Sequence, residues 1–558
     1  MTTGYESPLR CARLTGRACR SLVRGMEDVR TSSTVRQHHI GAISFGLGVI
    51  GLGVGWLVLA LLAGGDLAPG KPMPFRAMDW AETADNLPEV LAATLGIVLT
   101  VVAIVVQLAS QRYSAHVTTL FVRDPVNISV FMFMAASCVY LVLLPGLIDG
   151  DGPPVPESLA IALALSNFGL LLPYFAYVFR SLRPEVLVNG LERSAVRAFL
   201  RGPARRDRIV AAQRQLDDTV GRLADSCIVA LREADRGHAL SVIDSLEHTL
   251  TTWLRNRHEL DRAWLRMPPG TLPQLTREFR ADIDQRGIWF ETRVLGELDY
   301  IMRRAATEMP EVVSRLGTAA RHSAQAALEA DNDEALRINL RFINSFVRHG
   351  INARNVRVAF AILEDYRRLA EYLLEHRPSE VADIAHQLVY YGRLASDRAL
   401  GFVSVTVAHD LRILCERALD VRPEAAPGII DALVALDEEP DAHGPASAEP
   451  TLLGIRRAQA MLAASLATRG YDDLAQRIAD DMAAEPPSRL KAIRDGVLAV
   501  RERTFWEVND RGYNLDYLDP AFHEAFLHFF ETLITRANRR RASLTTSTHA
   551  VVTVPGRT

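Results

Sequence analysis

The chain has 558 residues, a formal net charge of −3 and a mean hydropathy of +0.06, which by themselves describe a slightly apolar soluble protein of several domains. Near-neutral charge with 23 % charged residues excludes a collagen-like, a disordered or a globally basic nucleic-acid-binding chain. Charge counted by segment shows that the average hides a division: about +4 over residues 1–39, about −5 over 40–179 and about −2 over the rest.

The N-terminal arm, residues 1–39, places Arg10, Arg13, Arg17, Arg20 and Arg24 on one helical face, the pattern of a basic amphipathic helix on an anionic membrane surface. Its basic stretch is too long for a cleavable secretory signal, and no small-residue cleavage site follows it. Four apolar spans come next, at 40–63, 90–109, 128–148 and 158–179. Each is long enough to cross a hydrocarbon core of about 30 Å at 1.5 Å per residue. In the first span, Ser44, Gly48, Gly51 and Gly55 recur at helical spacing, as in a small-residue packing seam. Gly46 to Gly51 also spells G-x-G-x-x-G, but it lies inside an apolar span and lacks the strand that a dinucleotide site requires.

The connecting segments set an orientation. Seven arginines precede the first span, Arg112 and Arg123 lie between the second and third, and a run from Arg180 to Arg208 follows the fourth. The other two loops are acidic, with Asp66, Asp79, Glu82, Asp85 and Glu89 in one and Asp149, Asp151 and Glu157 in the other. The positive-inside rule therefore places both termini in the cytoplasm and both acidic loops outside.

Between the second and third spans runs Gln107 to Asp124, with Asp124 as a cap and Pro125 at the first helical position. Gln107, Arg112, Tyr113, Arg123 and Asp124 gather there as a candidate membrane-interface or pore-mouth site; an elbow of ordinary interfacial anchors fits the same residues. Leu108, Ala109, Ser110, Tyr113, Ser114, Phe121, Arg123 and Asp124 form a pattern that resembles a large uncharacterised family of bacterial predicted membrane proteins. The resemblance covers roughly residues 85–185. It implies a bacterial inner-membrane protein and no particular activity.

From residue 181 to 535 the sequence predicts a large α-helical cytoplasmic domain, with apolar residues three and four apart, as at Ile362, Tyr366, Leu369, Ala370 and Leu373. Breakers near Gly237, Gly287, Asn332, Pro378, Pro423, Gly470 and Asp519 lie about 45 to 50 residues apart, which suits helical hairpins. A bundle and an irregular solenoid both remain compatible. Residues 439–450 read as an exposed loop and 536–558 as a disordered tail. The fold class is thus all-α: a four-helix transmembrane bundle followed by a helical cytoplasmic domain.

Chemistry-bearing motifs are lacking. His523 and His528 are five apart, not the four of a zinc protease helix. Asp331 to Glu334 reads as a helix-start cluster. The five cysteines are scattered without C-x-x-C, so neither a disulfide framework nor a zinc site is expected. No cofactor, metal or nucleic acid is expected. The reading is a membrane-anchored interaction or scaffold protein without enzymatic activity, its partners the lipid bilayer, a protein bound by the cytoplasmic domain and further copies of itself; the alternative is an oligomeric channel or transporter.

Overall fold

The computed structural model describes residues 80–112, 121–122, 124–148, 155–181, 183–200, 206–437, 448–507 and 511–551. These hold eighteen α-helices and no strand. The chain divides into two compact units, with the boundary between Leu187 and Val188.

The first unit contains α1 (Trp80–Arg112), α2 (Pro125–Ile148) and α3 (Val155–Ser181), each packed on the other two. Buried positions recur at three and four: Leu91, Val98, Val102, Val106 and Ala109 on α1, Asn127, Val130, Met134, Ser137 and Leu141 on α2, and Ala164, Asn167, Leu170, Tyr174 and Val178 on α3. This is the seam spacing of closely packed helices. The outward faces are also apolar: Ile97 is 65 % exposed, Met132 66 % and Leu172 82 %. Water would not favour so much exposed hydrocarbon, whereas lipid would. The hydroxyls of Thr94 and Thr100 turn back onto the carbonyls of Val90 and Gly96, each at 2.7 Å, which satisfies them within their own helix.

Asn86–Ser110 and Pro125–Leu143 are long and apolar enough to cross a membrane. The expectation of four spans is therefore met only in part. Span 40–63, with Ser44, Gly48, Gly51 and Gly55, lies outside the described residues, as does the arm 1–39. Helix α3 occupies the place of the expected span 158–179.

The second unit begins within α4 (Pro184–Leu200). It continues through α5 (Arg206–Arg232), α6 (Arg236–Asn256), α7 (Arg277–Arg286), α8 (Trp289–Glu308), α9 (Val313–Glu329), α10 (Asp333–Asn352) and α11 (Val356–His376). Then follow α12 (Pro378–Asp397), α13 (Gly401–Val421), α14 (Ala426–Ala435), α15 (Ala448–Thr468), α16 (Asp472–Met482), α17 (Pro487–Leu498) and α18 (His523–Val551). Packing resolves them into two layers. Helices α5, α8, α10, α12, α14 and α16 follow one another in the first, and α6, α9, α11, α13, α15 and α18 in the second. Successive hairpins pack on one another in sequence order.

Side-chain bonds between residues 42 to 49 apart repeat along the stack: Arg321–Asp365, Asn344–Gln387, Arg348–Tyr390, Arg377–Asp331, Arg417–Glu375 and Arg469–Asp420. One turn is reused throughout. Ala234, Gly287, Asp331, Arg354, Ala399 and Gly470 are left-handed, with φ between 49° and 80°. In each case the next residue donates its N–H to the carbonyl five positions back, as Asn332 does to Ala327 at 2.9 Å. At Asp235, Asn332 and Asn355 that same residue caps the following helix with its side chain.

Two boundaries differ from the sequence reading. Helix α18 runs to Val551, past residue 536 where a disordered tail was expected. The first turn of α15 takes in Ala448–Pro450 from the expected loop 439–450, most of which lies outside the described residues.

Candidate functional site

At one end of the first unit, Asp124 precedes α2 and accepts the Val126 N–H at 3.1 Å on Oδ1. This is the expected cap. Its other oxygen accepts the Tyr177 hydroxyl from α3 and, at 3.4 Å, the Asn127 amide. Asn127 Nδ2 also donates to the Phe121 carbonyl at 3.0 Å. One carboxylate thus ties the start of α2 to the last turns of α3. Of the other residues proposed for this site, Gln107 is exposed on α1 and Arg112 ends α1, while Tyr113 and Arg123 lie outside the described residues. Among the described residues no hydrogen bond joins Gln107 to Asp124.

The sequence reading missed Tyr177, Tyr174, Asn127 and Asn167. The signal available was the seven-residue spacing of Asn167 and Tyr174, which places both on one face of an apolar span. Asn167 Nδ2 returns to the Leu163 carbonyl at 2.8 Å. The side-chain oxygens of Asn127, Asn167 and Tyr174 are buried without a hydrogen-bond partner among the described residues. Polar groups held in the interior of an apolar bundle are costly, and they set helix register or mark a pathway.

In the second unit, charged side chains run from helix to helix along the second layer. Glu247 on α6 meets His322 Nδ1 at 2.6 Å and Arg315, both on α9. Burial would raise its carboxyl, but the His322 hydrogen bond and the Arg315 charge hold it below the ordinary carboxylate range. Arg321 on α9 then reaches Asp365 on α11 at 2.8 Å, where burial prevails and raises the acid. Arg367 on α11 contacts Glu364 at 2.8 Å, Glu371, and Asp410 of α13 at 3.3 Å. His409 on α13 stands 3.2 Å from Asp516, which Arg457 of α15 also holds at 3.0 Å. Burial lowers His409, so it is the neutral imidazole that faces Asp516 at pH 7.

A second hub surrounds Arg456 on α15. Asp437 lies 2.9 Å away, Glu485 3.0 Å and the Gln459 side-chain oxygen 2.9 Å, with Asp481 completing the ring. Three carboxylates share one guanidinium. Burial, with the neighbouring Asp481 charge, pushes Asp437 up to about 6 against the pull of Arg456. Among the described residues no cluster of histidine, cysteine and acids is placed to hold a metal ion. His523 is turned to the Leu518 carbonyl at 3.3 Å.

Residues 45–245 match the model of a family described as "Predicted membrane protein (DUF2254)", a family without an assigned activity. The match covers the 85–185 resemblance and extends to α6. No curated protein matches. Among solved structures, a "Circular tandem repeat protein with novel repeat topology and enhanced subunit contact surfaces" is similar at 13 % identity, over 75 % of this chain and 98 % of that one, with a TM-score of 0.35.

Proposed function

We propose that the chain is a multi-pass bacterial inner-membrane protein in which four spans anchor a cytoplasmic helical-repeat platform that binds a protein partner without catalysing a reaction. The observation that carries this reading is the two-layer stack of hairpins, an architecture whose extended surfaces serve binding. The family match and the two apolar helices support the membrane anchor. The distribution of arginines supports a cytoplasmic platform. The near-balanced charge of this unit fits a protein partner better than nucleic acid.

Topology is tested by single cysteines at residues 4, 68, 152 and 445, labelled from each side of sealed membranes. Labelling of 68 and 152 alone from outside is expected, and outside labelling of 445 would overturn the orientation. Crosslinking the full chain in native membranes is expected to yield a partner or a self-associated species, and recovery of an uncrosslinked monomer alone would refute the platform.

A second reading, an oligomeric channel or transporter, is favoured by the buried, unpartnered oxygens of Asn127, Asn167 and Tyr174. Solute or ion flux in liposomes that falls on Asn167→Leu would support it, and absence of flux would remove it.

A further inference from the structure

Segment Arg511–Asp519 has no helix, yet it is bound by three successive second-layer helices. Its first residue is the anchor. The Arg511 side chain is fully buried and gives a forked pair of bonds to the Asp410 carboxylate of α13, one of them Nη2 to Oδ2 at 3.0 Å. Nη2 also donates to the Phe360 carbonyl of α11 at 3.2 Å. Nε stands 3.4 Å from Glu364 on α11. The guanidinium lies over the Phe360 ring, 4.2 Å from its centroid. Further along, Asp516 is held by Arg457 of α15 at 3.0 Å, with His409 of α13 standing 3.2 Å away, and Leu518 is buried.

A planar cation between a forked carboxylate, a carbonyl, a second acid and an aromatic face is the arrangement that recognises guanidinium and not ammonium. The charge tally points the same way. Around this place the helices contribute Glu364, Glu371 and Asp410 against Arg367 and Arg368, which leaves one negative charge for Arg511 to neutralise. Arg511 lies 101 residues beyond Asp410, far outside the 42 to 49 that separate repeat neighbours, so it enters the stack as a ligand would and not as a rung of it.

We propose that Asp410, Glu364 and Phe360 form a guanidinium-recognition site, filled in cis by Arg511, and that segment Arg511–Asp519 is a self-ligand held on the stack through it. The site does not depend on the platform reading.

The test is chemical complementation of the full chain in detergent. Arg511→Ala vacates the site, and ethylguanidinium at millimolar concentration is expected to raise its thermal midpoint by several degrees. Ethylammonium is expected to do nothing. Neither ion should move the wild type or the Asp410→Asn, Arg511→Ala double variant. An equal response to both cations, or none to ethylguanidinium, overturns the proposal. If Arg511→Ala does not fold, Arg511→Lys replaces it, with a synthetic peptide of residues 507–519 as the probe. That peptide is expected to bind at least tenfold more tightly than the same peptide with alanine in place of the arginine, and equal affinities would overturn the site. Guanidinium rescue together with failed crosslinking in membranes would keep the site and remove the platform.

Discussion

Asp437 offers the sharpest quantitative test of the helical unit. Its side chain is 3 % exposed beside Arg456, and burial raises its carboxyl from 3.8 to about 6. The folded state therefore holds this proton more tightly than the unfolded state. The stability it contributes is fully present below pH 3.8 and is lost as pH rises through about 6. A shift of that size corresponds to about 3 kcal/mol between the two ends of the range. Between pH 7 and pH 5 the expected gain is about 1.3 kcal/mol, since at pH 5 most of the unfolded carboxyl is already ionised. His409 opposes this: burial lowers it, so its contribution falls as pH drops through the histidine range. Glu247, Glu364 and Asp516, all held low by their partners, lose stability at still lower pH. The isolating measurement is the difference between wild type and Asp437→Asn in urea unfolding followed by ellipticity. The asparagine protein is expected to be the more stable at pH 7, by at most about 3 kcal/mol, with the gap narrowing by about 1.3 kcal/mol at pH 5. A gap that stays constant or widens toward acid would refute the account of the Arg456 hub.

Other expectations follow from close approaches, caps and the membrane seam. A Cβ on Gly454 would lie 2.5 Å from the branched Val405 side chain of the neighbouring α13, so Gly454→Ala should lower stability by about 1–3 kcal/mol in urea melts. Gly428, with nothing within 4 Å, should by contrast gain about 0.5–1 kcal/mol on conversion to alanine. Asn332→Ala removes the α10 cap and should cost about 1 kcal/mol, with hydrogen exchange rising first at the start of that helix. Tyr177→Phe removes the hydroxyl bond to Asp124 and should cost about 0.6–1.7 kcal/mol in SDS unfolding, with α-helical content unchanged before the transition.

Much of the helical order was legible because its punctuation is chemical. Pro378 and Pro423 do begin helical segments, and Asp331 to Glu334 is the helix start that its composition implied. Asp124 caps α2 as its place before Pro125 suggested. The repeat was harder to read for two reasons. Four of its six left-handed turn residues are Ala234, Asp331, Arg354 and Ala399, none of them glycine, so the commonest sequence signal is missing. In α15, moreover, every residue from Gly454 to Leu466 except Arg457 is buried, so no polar face marks the helical period. The membrane seam hid for the opposite reason. Apolar residues cover both its inner and its outer faces, and only the polar exceptions reveal which face is which. The partners of Asp124 and Arg511, 53 and 101 residues away, could not follow from local pattern at all.

The arginine bias takes on a different meaning in this light. Lys71 and Lys491 are the only lysines against 63 basic residues in all, a ratio that codon composition explains without reference to function. At exposed rungs such as Arg417–Glu375 a lysine would serve as well, because such pairs contribute little to stability. The hubs are another matter. Arg315 joins Asp244 and Glu247, Arg367 joins three acids on two helices, and Arg456 holds three more. Each hub needs donors spread in a plane and a cation that tolerates desolvation, which guanidinium supplies and ammonium does not. A chain supplied with arginine throughout could place one wherever two hairpins meet, and a stack of hairpins has many such places. Composition thus provided the material, while the stacking of helices decided at which positions the geometry of the guanidinium matters.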